Sequence, residues 1–484
     1  LAAKKPLSIL FAASECFPLI KTGGLADVVG ALPLALEKAG LEVTVFLPGF
    51  PKVLAGLQNT RTYAKLKTVA GQKGKIITGK TSTGVSVIAL DAPHLFGFDG
   101  NPYLDANGQD RIGNGEKFGA FSKIAAEIAR GEIGRKSFDV LHAHDWQAGL
   151  SAAYLKASGD TRVTTVLTIH NLAFQGLFPT SLLHELALPT EYYGPDGLEY
   201  FDQISFLKAG VAYSDHITTV SPTYALEIQS DEGGMGFGGM LRARAGSLSG
   251  ILNGIDLDVW DPASDPEIKH RFSAAAPSGK MENKRDLQKS LKLRQEATGP
   301  LFTVISRLTT QKGLDLLANM TDYIVARGGQ LALLGSGDSA IENAFIAAAN
   351  KHPTEISVTI GYDEPFAHRL QAGADAIFIP SRFEPCGLTQ LCAMRYGTVP
   401  IVGRVGGLND TVIDASPMAL ASEVSTGVQF APINAHMLYS AISRSFDLYA
   451  SQSVWMQMVS NCLNQDVGWD ASAAEYRDLY TSLQ

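Results

Sequence analysis

The feature that most constrains this chain is a recurring unit. A short, almost unbroken apolar run is followed by a polar or glycine-rich turn and then by a helical stretch. In the first part the runs are "LSILFAASE" (7–15), "LEVTVFLPG" (41–49), "FDVLHAHD" (138–145), "VTTVLTIHN" (163–171) and "HITTVSP" (216–222). In the second they are "LFTVISRL" (301–308), "QLALLGSG" (330–337), "ISVTIG" (356–361), "DAIFIPS" (375–381) and "TVPIVG" (398–403). Strands apolar on both faces and alternating with helices form parallel sheets covered on both sides. The expected class is therefore α/β with doubly wound parallel sheets. At 484 residues the chain is too long for one ordinary domain. Two such units fit, with a boundary near "ILNGIDLDVWDP" (251–262), which is rich in turn formers.

Charge narrows the partners. The chain has 40 basic and 48 acidic residues, a formal net charge of −8, and no long basic run. Nucleic acid and anionic membrane are disfavoured, and an anionic ligand has to be held by local groups. Cys16, Cys386, Cys392 and Cys462 form neither a CxxC pair nor a disulfide framework. That points to a reducing compartment and a cytoplasmic location. No apolar run reaches transmembrane length. The opening "LAAKKPLSILFAASECFPL" imitates a signal peptide, but Glu15 interrupts it, so it reads as a buried first strand.

After that strand comes "KTGGLADVVGALPLALEKAG" (21–40). Leu25, Val28, Val29, Leu32 and Leu36 share one helical face, the stop is at Gly40, and a kink is expected at Pro33. The second half echoes it. Arg307 ends a strand, and Lys312-Gly-Leu-Asp315 leads into "LDLLANMTDYIVARGG" (314–329), read as one helix with Leu314, Leu317, Ile324 and Val325 inward. Lysine and glycine before a helix suit an anion, because the first N–H groups are unpaired and the dipole is favourable. Either stretch alone reads better as a connecting turn with a solvated lysine. The pair, with Arg307, favours phosphate binding beyond the carboxyl ends of the strands.

Other motifs carry competing readings. "HAHDWQAG" puts His142 and His144 on one strand face beside Asp145, as a metal-dependent hydrolase would; the plainer reading is a polar strand end lining a cleft. "TIHNLAFQG" offers His170 and Asn171 at a strand end, suited to hydroxyl recognition. "LLGSGDSA" matches G-x-G-x-x-A through Gly335, Gly337 and Ala340, a dinucleotide signature placed too late in its unit. Asp256 and Asp258 form a DxD pair, which is too short to weigh. In "PSRFEPCGLTQLCAMRYG", Glu384 precedes a Pro-Cys-Gly turn into a helix. A carboxylate there accepts from two sugar hydroxyls, and the helix start offers N–H groups to phosphate. A helix-start acid stabilised by the dipole is the alternative.

Taken in order, "KTGGLADVVGALP", "HAHDWQAG", "TIHNLAFQG", "LKAG", "TTVSPTYA", "NGIDLDVWDP", "SRLTTQKG" and "SRFEPCGLTQL" resemble the bacterial glycogen synthases and their plant starch synthase relatives, retaining glycosyltransferases of family five. The likeness runs from about residue 7 to "DVGWDASAAEY" near the end. It implies a GT-B architecture, with two Rossmann-like domains facing an interdomain cleft. The expected divisions are 1–252, 253–462, and a segment 463–484 crossing back to the first domain. The implied reaction moves glucose from ADP-glucose to the non-reducing end of an α-1,4-glucan such as glycogen, with no metal or other cofactor. UDP-glucose is the alternative donor; a metal hydrolase, a dinucleotide oxidoreductase and a silent glucan-binding relative are more distant rivals.

The resemblance also implies roles. Lys21 contacts the donor phosphate, with Gly23 and Gly24 close to the donor. Arg307 and Lys312 hold the diphosphate. Glu384 orients the donor glucose, and Cys386, Gly387, Leu388 and Thr389 supply a helix start near sugar and phosphate. His170 lies at the reaction centre through its backbone carbonyl, and Asp145 and Asn171 line the sugar site. Tyr362 packs near the adenine and Tyr103 near the acceptor. Many retaining GT-B enzymes carry Glu-x7-Glu; here the second position is Cys392, as in bacterial glycogen synthases.

Overall fold

The computed structural model describes residues 5–134 and 136–484. The chain divides into two compact units. One takes in the chain up to Asn253 together with Trp469–Gln484, and the other is Gly254–Gly468.

The strands of the first unit are β1 (Ser8–Ala12), β2 (Glu42–Pro48), β3 (Gln58–Val69), β4 (Gln72–Lys80), β5 (Ser86–Asp91), β6 (Val140–His144), β7 (Thr164–Ile169), β8 (Leu177–Pro179), β9 (Glu199–Tyr200), β10 (Gln203–Ser205), β11 (His216–Thr219) and β12 (Leu248–Gly250). Nine of them form one sheet in the order β12-β11-β7-β6-β1-β2-β5-β4-β3. It is parallel from β12 to β5 and antiparallel through β4 and β3. Every residue of β1 and β6 is buried, so β1 reads as an almost unbroken apolar run while β6 buries His142 and His144 beside its apolar residues. The β3–β4 hairpin is largely exposed and polar and has no such signature. Its signal is the two-residue turn Ala70-Gly71, with φ of +43° and +81°, the conformation hairpins prefer.

The helix Gly24–Lys38 buries Leu25, Val28, Val29, Leu32 and Leu36, the face expected from their spacing. It runs through Pro33 without interruption. Proline has no N–H for the carbonyl four residues back, that of Val29, and the Cys16 thiol, 3.5 Å away, donates to it instead. The last helix, Asp470–Ser482, belongs to the first unit: Tyr480 Oη meets His142 Nδ1 at 2.7 Å and Ser472 Oγ donates to Leu252 O. The chain stays with the second unit past residue 463, through Gly468. Leu463 and Val467 pack into that unit's core, and Ile255 N bonds to Val467 O.

The second unit carries β13 (Leu301–Ile305), β14 (Gln330–Gly335), β15 (Ile356–Ile360), β16 (Ala376–Ile379), β17 (Val399–Gly403) and β18 (Val428–Phe430). They form one parallel sheet ordered β15-β14-β13-β16-β17-β18, the Rossmann order 3-2-1-4-5-6. The first unit repeats it as β5-β2-β1-β6-β7-β11. In each unit the strand order reverses at one place, between β1 and β6 and between β13 and β16, and ligands of such sheets bind at that crevice.

The single helix expected over 314–329 is two helices, Leu314–Ala318 and Thr321–Ala326. The side chains at the break cap it: Asn319 Nδ2 donates to Asp315 O and Thr321 Oγ1 to Ala318 O, both in competition with the helix's own bonds. Leu314, Leu317 and Ile324 are buried as expected, and Val325 is half-buried. Gly335 and Gly337 are needed for close packing, since an added Cβ would stand 2.0 Å from Ser306 O and 2.5 Å from Leu308 O. The turn that matched a dinucleotide signature thus braces the loop carrying Arg307. Among the described residues no helix is long and apolar enough to cross a membrane.

Candidate active site

In the first unit the chain leaves β1 into the loop 13–23. Glu15 is buried there and organises the loop. Its carboxylate accepts from Thr22 N, from Thr22 Oγ1 at 2.6 Å and from Tyr103 Oη at 2.5 Å. Tyr103 Oη also lies 2.7 Å from Ser14 Oγ. Burial and the Glu15 charge together push the Tyr103 phenol well above its ordinary range, so it stays a neutral donor. This network ties Tyr103 to the backbone beside Lys21 and ends at the glycine start of the next helix.

Lys21 Nζ lies 2.8 Å from Asp27 Oδ1 in the first turn of that helix, and each side chain is about a third exposed (31% and 34%). Gly23 is the N-cap and brings no capping side chain. Among the described residues nothing outside its two chain neighbours lies within 4 Å of where its Cβ would stand, so no packing contact demands glycine there.

At the end of β6 stand His144 and Asp145, and at the end of β7 His170 and Asn171. Asp145 adopts φ +54°, a strained conformation for a non-glycine residue that recurs at functional sites. The strain aims its buried carboxylate at the end of the neighbouring strand, where it accepts from His170 N at 2.7 Å and from Asn171 N. Asn171 Oδ1 closes the turn by accepting from Ala173 N. Burial outweighs these bonds and raises the Asp145 carboxyl to about 7. A raised folded-state value stabilises the fold most below the ordinary aspartate range and loses that contribution as pH climbs to about 7. Asp145→Asn is therefore expected to flatten the fall in melting temperature between pH 4 and pH 7, measured by thermal unfolding across that range.

His142 cannot pair with His144 on a metal. Its Nδ1 meets Tyr480 Oη at 2.7 Å and its Nε2 meets Thr168 Oγ1 at 2.6 Å. Its ring stacks on His144 at 4.3 Å. Among the described residues no group of three or more His, Cys, Asp or Glu side chains is arranged to hold an ion. The metal-hydrolase reading of "HAHD" loses its geometric basis.

In the second unit the loop after β13 carries Arg307 and Lys312. Arg307 is exposed, with no side-chain partner among the described residues. Lys312 Nζ lies 2.6 Å from Glu384 Oε2, and Ser381 Oγ donates to the same oxygen at 2.9 Å. The "QKG" and "FEPCG" motifs thus meet at the crevice between β13 and β16. Gly313 makes the meeting possible. It holds φ +69°, and a Cβ there would stand 1.9 Å from Pro380 O. Gly313→Ala is expected to cost about 3 kcal/mol, a melting-temperature drop of roughly 6–12 °C read by calorimetry. Arg382 supports the same loop with a two-pronged pair to Asp315 at 2.7 and 2.8 Å.

Cys386 is buried, and Gly387 (φ +73°) turns the chain into the helix Thr389–Arg395. Gln390 Nε2 holds the turn by donating to Cys386 O and Gly387 O. Leu388 and Thr389 stand half-buried at the helix start. Cys392 lies in the core. Tyr362 stands apart, just beyond β15, 69% exposed with its hydroxyl 2.6 Å from Glu364 Oε2. Glu15, Ser381, Arg382 and Asp315 were missed as site residues. The available signal for Glu15 was an acid inside an apolar run, and for Arg382 and Ser381 their place within "PSRFEPCG".

Residues 8–243 match the family model described as the starch synthase catalytic domain, and residues 287–454 match glycosyl transferases group 1. The chain is 50% identical over 477 residues to a glycogen synthase of Rhodopseudomonas palustris, covering 99% of each. It is 48% identical over 478 residues to glycogen synthase 2 of Bradyrhizobium diazoefficiens, covering 99% of this chain and 98% of that one. The catalytic domain of starch synthase IV from Arabidopsis thaliana, solved with ADP and acarbose, superposes with a TM-score of 0.89 at 32% identity over 99% of both chains. Sucrose-phosphate synthase from Thermosynechococcus elongatus, at 20% identity and a TM-score of 0.59, shares the fold alone. With two Rossmann-ordered units and these matches, the fold is GT-B, and the chain is a glycosyltransferase that belongs to the glycogen synthase family.

Proposed function

We propose that this chain transfers glucose from ADP-glucose to the non-reducing end of an α-1,4-glucan, with retention at the anomeric carbon and release of ADP. The observation that carries the reading is the Lys312–Glu384–Ser381 cluster beside exposed Arg307 at the strand-order reversal of the second unit. The ADP and acarbose in the solved starch synthase IV relative support the choice of nucleotide and of glucan.

The leaving group is a diphosphate, and cations placed where its charge develops lower the barrier. Arg307, Lys312 and Lys21 supply them as side chains, so no metal is called for. Glu384, steadied by Lys312 and Ser381, accepts from donor-glucose hydroxyls. The start of the helix at Thr389 offers N–H groups near sugar and phosphate. Tyr362 lies against the adenine, and Tyr103 serves the acceptor. Gly23 fits a donor approaching the loop closely, since among the described residues nothing outside its two chain neighbours lies within 4 Å of where a Cβ would stand.

Retention through a covalent intermediate would need a free carboxylate nucleophile. Glu384 is held by Lys312 and Ser381, Asp145 by two backbone N–H groups, and position 392 is cysteine. We therefore favour attack on the face the diphosphate leaves. The acceptor oxygen bonds to C1 as the C1–O bond to phosphate breaks, and the acceptor's proton passes to the departing phosphate oxygen. The His170 carbonyl faces the positive charge that develops at the sugar.

The test is transfer of labelled glucose to a glycogen primer from ADP-glucose and from UDP-glucose, each with and without chelator. Transfer from ADP-glucose, indifferent to chelator, is expected. Preference for UDP-glucose would correct the donor, and no transfer from either would overturn the reading.

A further inference from the structure

We propose that His144 is the positioning residue for His170: it donates its Nδ1–H to His170 Nε2, so that a neutral His170 presents its own Nδ1–H to the sugar bound at this site. The first half stands on the geometry alone; only the identity of the sugar rests on the glucosyl-transfer reading.

The two rings meet at a single hydrogen bond, His144 Nδ1 to His170 Nε2 at 2.9 Å. Burial pushes the His170 imidazole down to about 3 and that of His144 well below the ordinary histidine range, so both are neutral near pH 7. Two neutral imidazoles share one proton in this bond, and which ring owns it fixes both tautomers.

The far side of His144 decides the owner. Its Nε2 is buried and has no hydrogen-bond partner among the described residues. Phe11 covers the ring with centroids 4.8 Å apart, and His142 stacks on it at 4.3 Å. His142 offers no acceptor, because both its nitrogens are bonded to Tyr480 and Thr168. If His170 donated, His144 would carry its hydrogen on Nε2 and bury an unpaired N–H. If His144 donates, only a lone pair is left unpaired. Buried orphan donors are the rarer and costlier defect. His144 is therefore the Nδ1–H tautomer, and His170 accepts at Nε2 and carries its hydrogen on Nδ1.

His170 Nδ1 has no protein partner among the described residues, and the residue is half-buried at the strand end. Its backbone is held independently by Asp145. His144 thus sets the chemistry of the His170 side chain while Asp145 sets the position of its main chain. A donor N–H suits a sugar hydroxyl oxygen.

The test reads tautomers directly. The whole 484-residue chain is labelled with 15N-histidine, and two-bond 15N–1H correlations distinguish protonated from bare ring nitrogens. His170→Gln and His144→Asn identify the two rings by loss of their signals. The expected result is Nδ1–H with bare Nε2 on His170 in the unmodified protein. His144→Asn, whose amide can place an N–H near the Nδ1 position, should leave that pattern intact. His144→Leu should shift His170 toward Nε2–H and lower kcat on the order of 10-fold, with KM for the nucleotide sugar little changed. The scale is taken from the low end, about 10-fold, of the loss seen when the partner orienting a metal-ligating histidine is removed. An Nε2–H His170 in the unmodified protein overturns the proposal, as does an unaltered His170 spectrum in His144→Leu. If the leucine variant does not fold, the unmodified and asparagine spectra still decide. A protein inactive with every donor sugar but showing the expected spectrum would sink the function reading and leave this inference standing.

Discussion

Lys312→Met is expected to lower kcat/KM for the nucleotide sugar by about 10²–10³, the scale of losing one group that stabilises developing negative charge. Two losses coincide. The departing diphosphate loses a cation, and Glu384 loses the partner 2.6 Å from its carboxylate. The Glu384 side chain is only 10% exposed and Lys312 19%. The single variant therefore also destabilises the fold, by about 1–3 kcal/mol once the residual solvent around the lysine is allowed for. Glu384→Gln on top of Lys312→Met removes the stranded charge. The double variant should recover most of the melting temperature while activity stays as low as in the worse single variant, because residues acting as a unit do not add. Steady-state kinetics and thermal unfolding of the four proteins check both statements. Activity that recovered with the melting temperature would show Lys312 to be structural.

Lys21→Ala is expected to cost about 10²–10³ in kcat/KM by the same reasoning, with almost no change in stability. Its pairing with Asp27 is about one-third exposed on each side, and such pairs contribute about 0–1 kcal/mol. The loop does not depend on the lysine, since Glu15 holds it through Thr22 and Tyr103. Activity within a few-fold of the unmodified protein would remove Lys21 from the machinery. A melting temperature several degrees lower would show that its charge is needed to shape the loop.

Both lysine motifs are visible in the sequence as lysine and glycine before a helix. The structure gives their glycines different reasons. Gly313 is required by the protein, through its left-handed φ and the Pro380 carbonyl. Gly23 meets no such contact: among the described residues nothing outside its two chain neighbours lies within 4 Å of where a Cβ would stand, and its place is that of a helix N-cap. Apolar spacing that continues across Asn319 and Thr321 predicts a single helix after "QKG". Their side chains end it by bonding backward to the main chain, a competition that periodicity does not register.

By itself the sequence determined the α/β class, the two-unit division and the family, because these rest on local alternation and on ordered motifs. Only the tertiary structure decided that Lys312 and Glu384 are paired, that Glu15 holds the Lys21 loop through Tyr103, and that His142 is consumed by Tyr480 while His144 faces His170. Those partners lie 72, 88, 338 and 26 residues apart. Strand order sets the first and the last of these pairs side by side, while a loop brings Tyr103 to Glu15 and the last helix brings Tyr480 to His142, and no pattern within a single stretch of chain encodes which segments become neighbours.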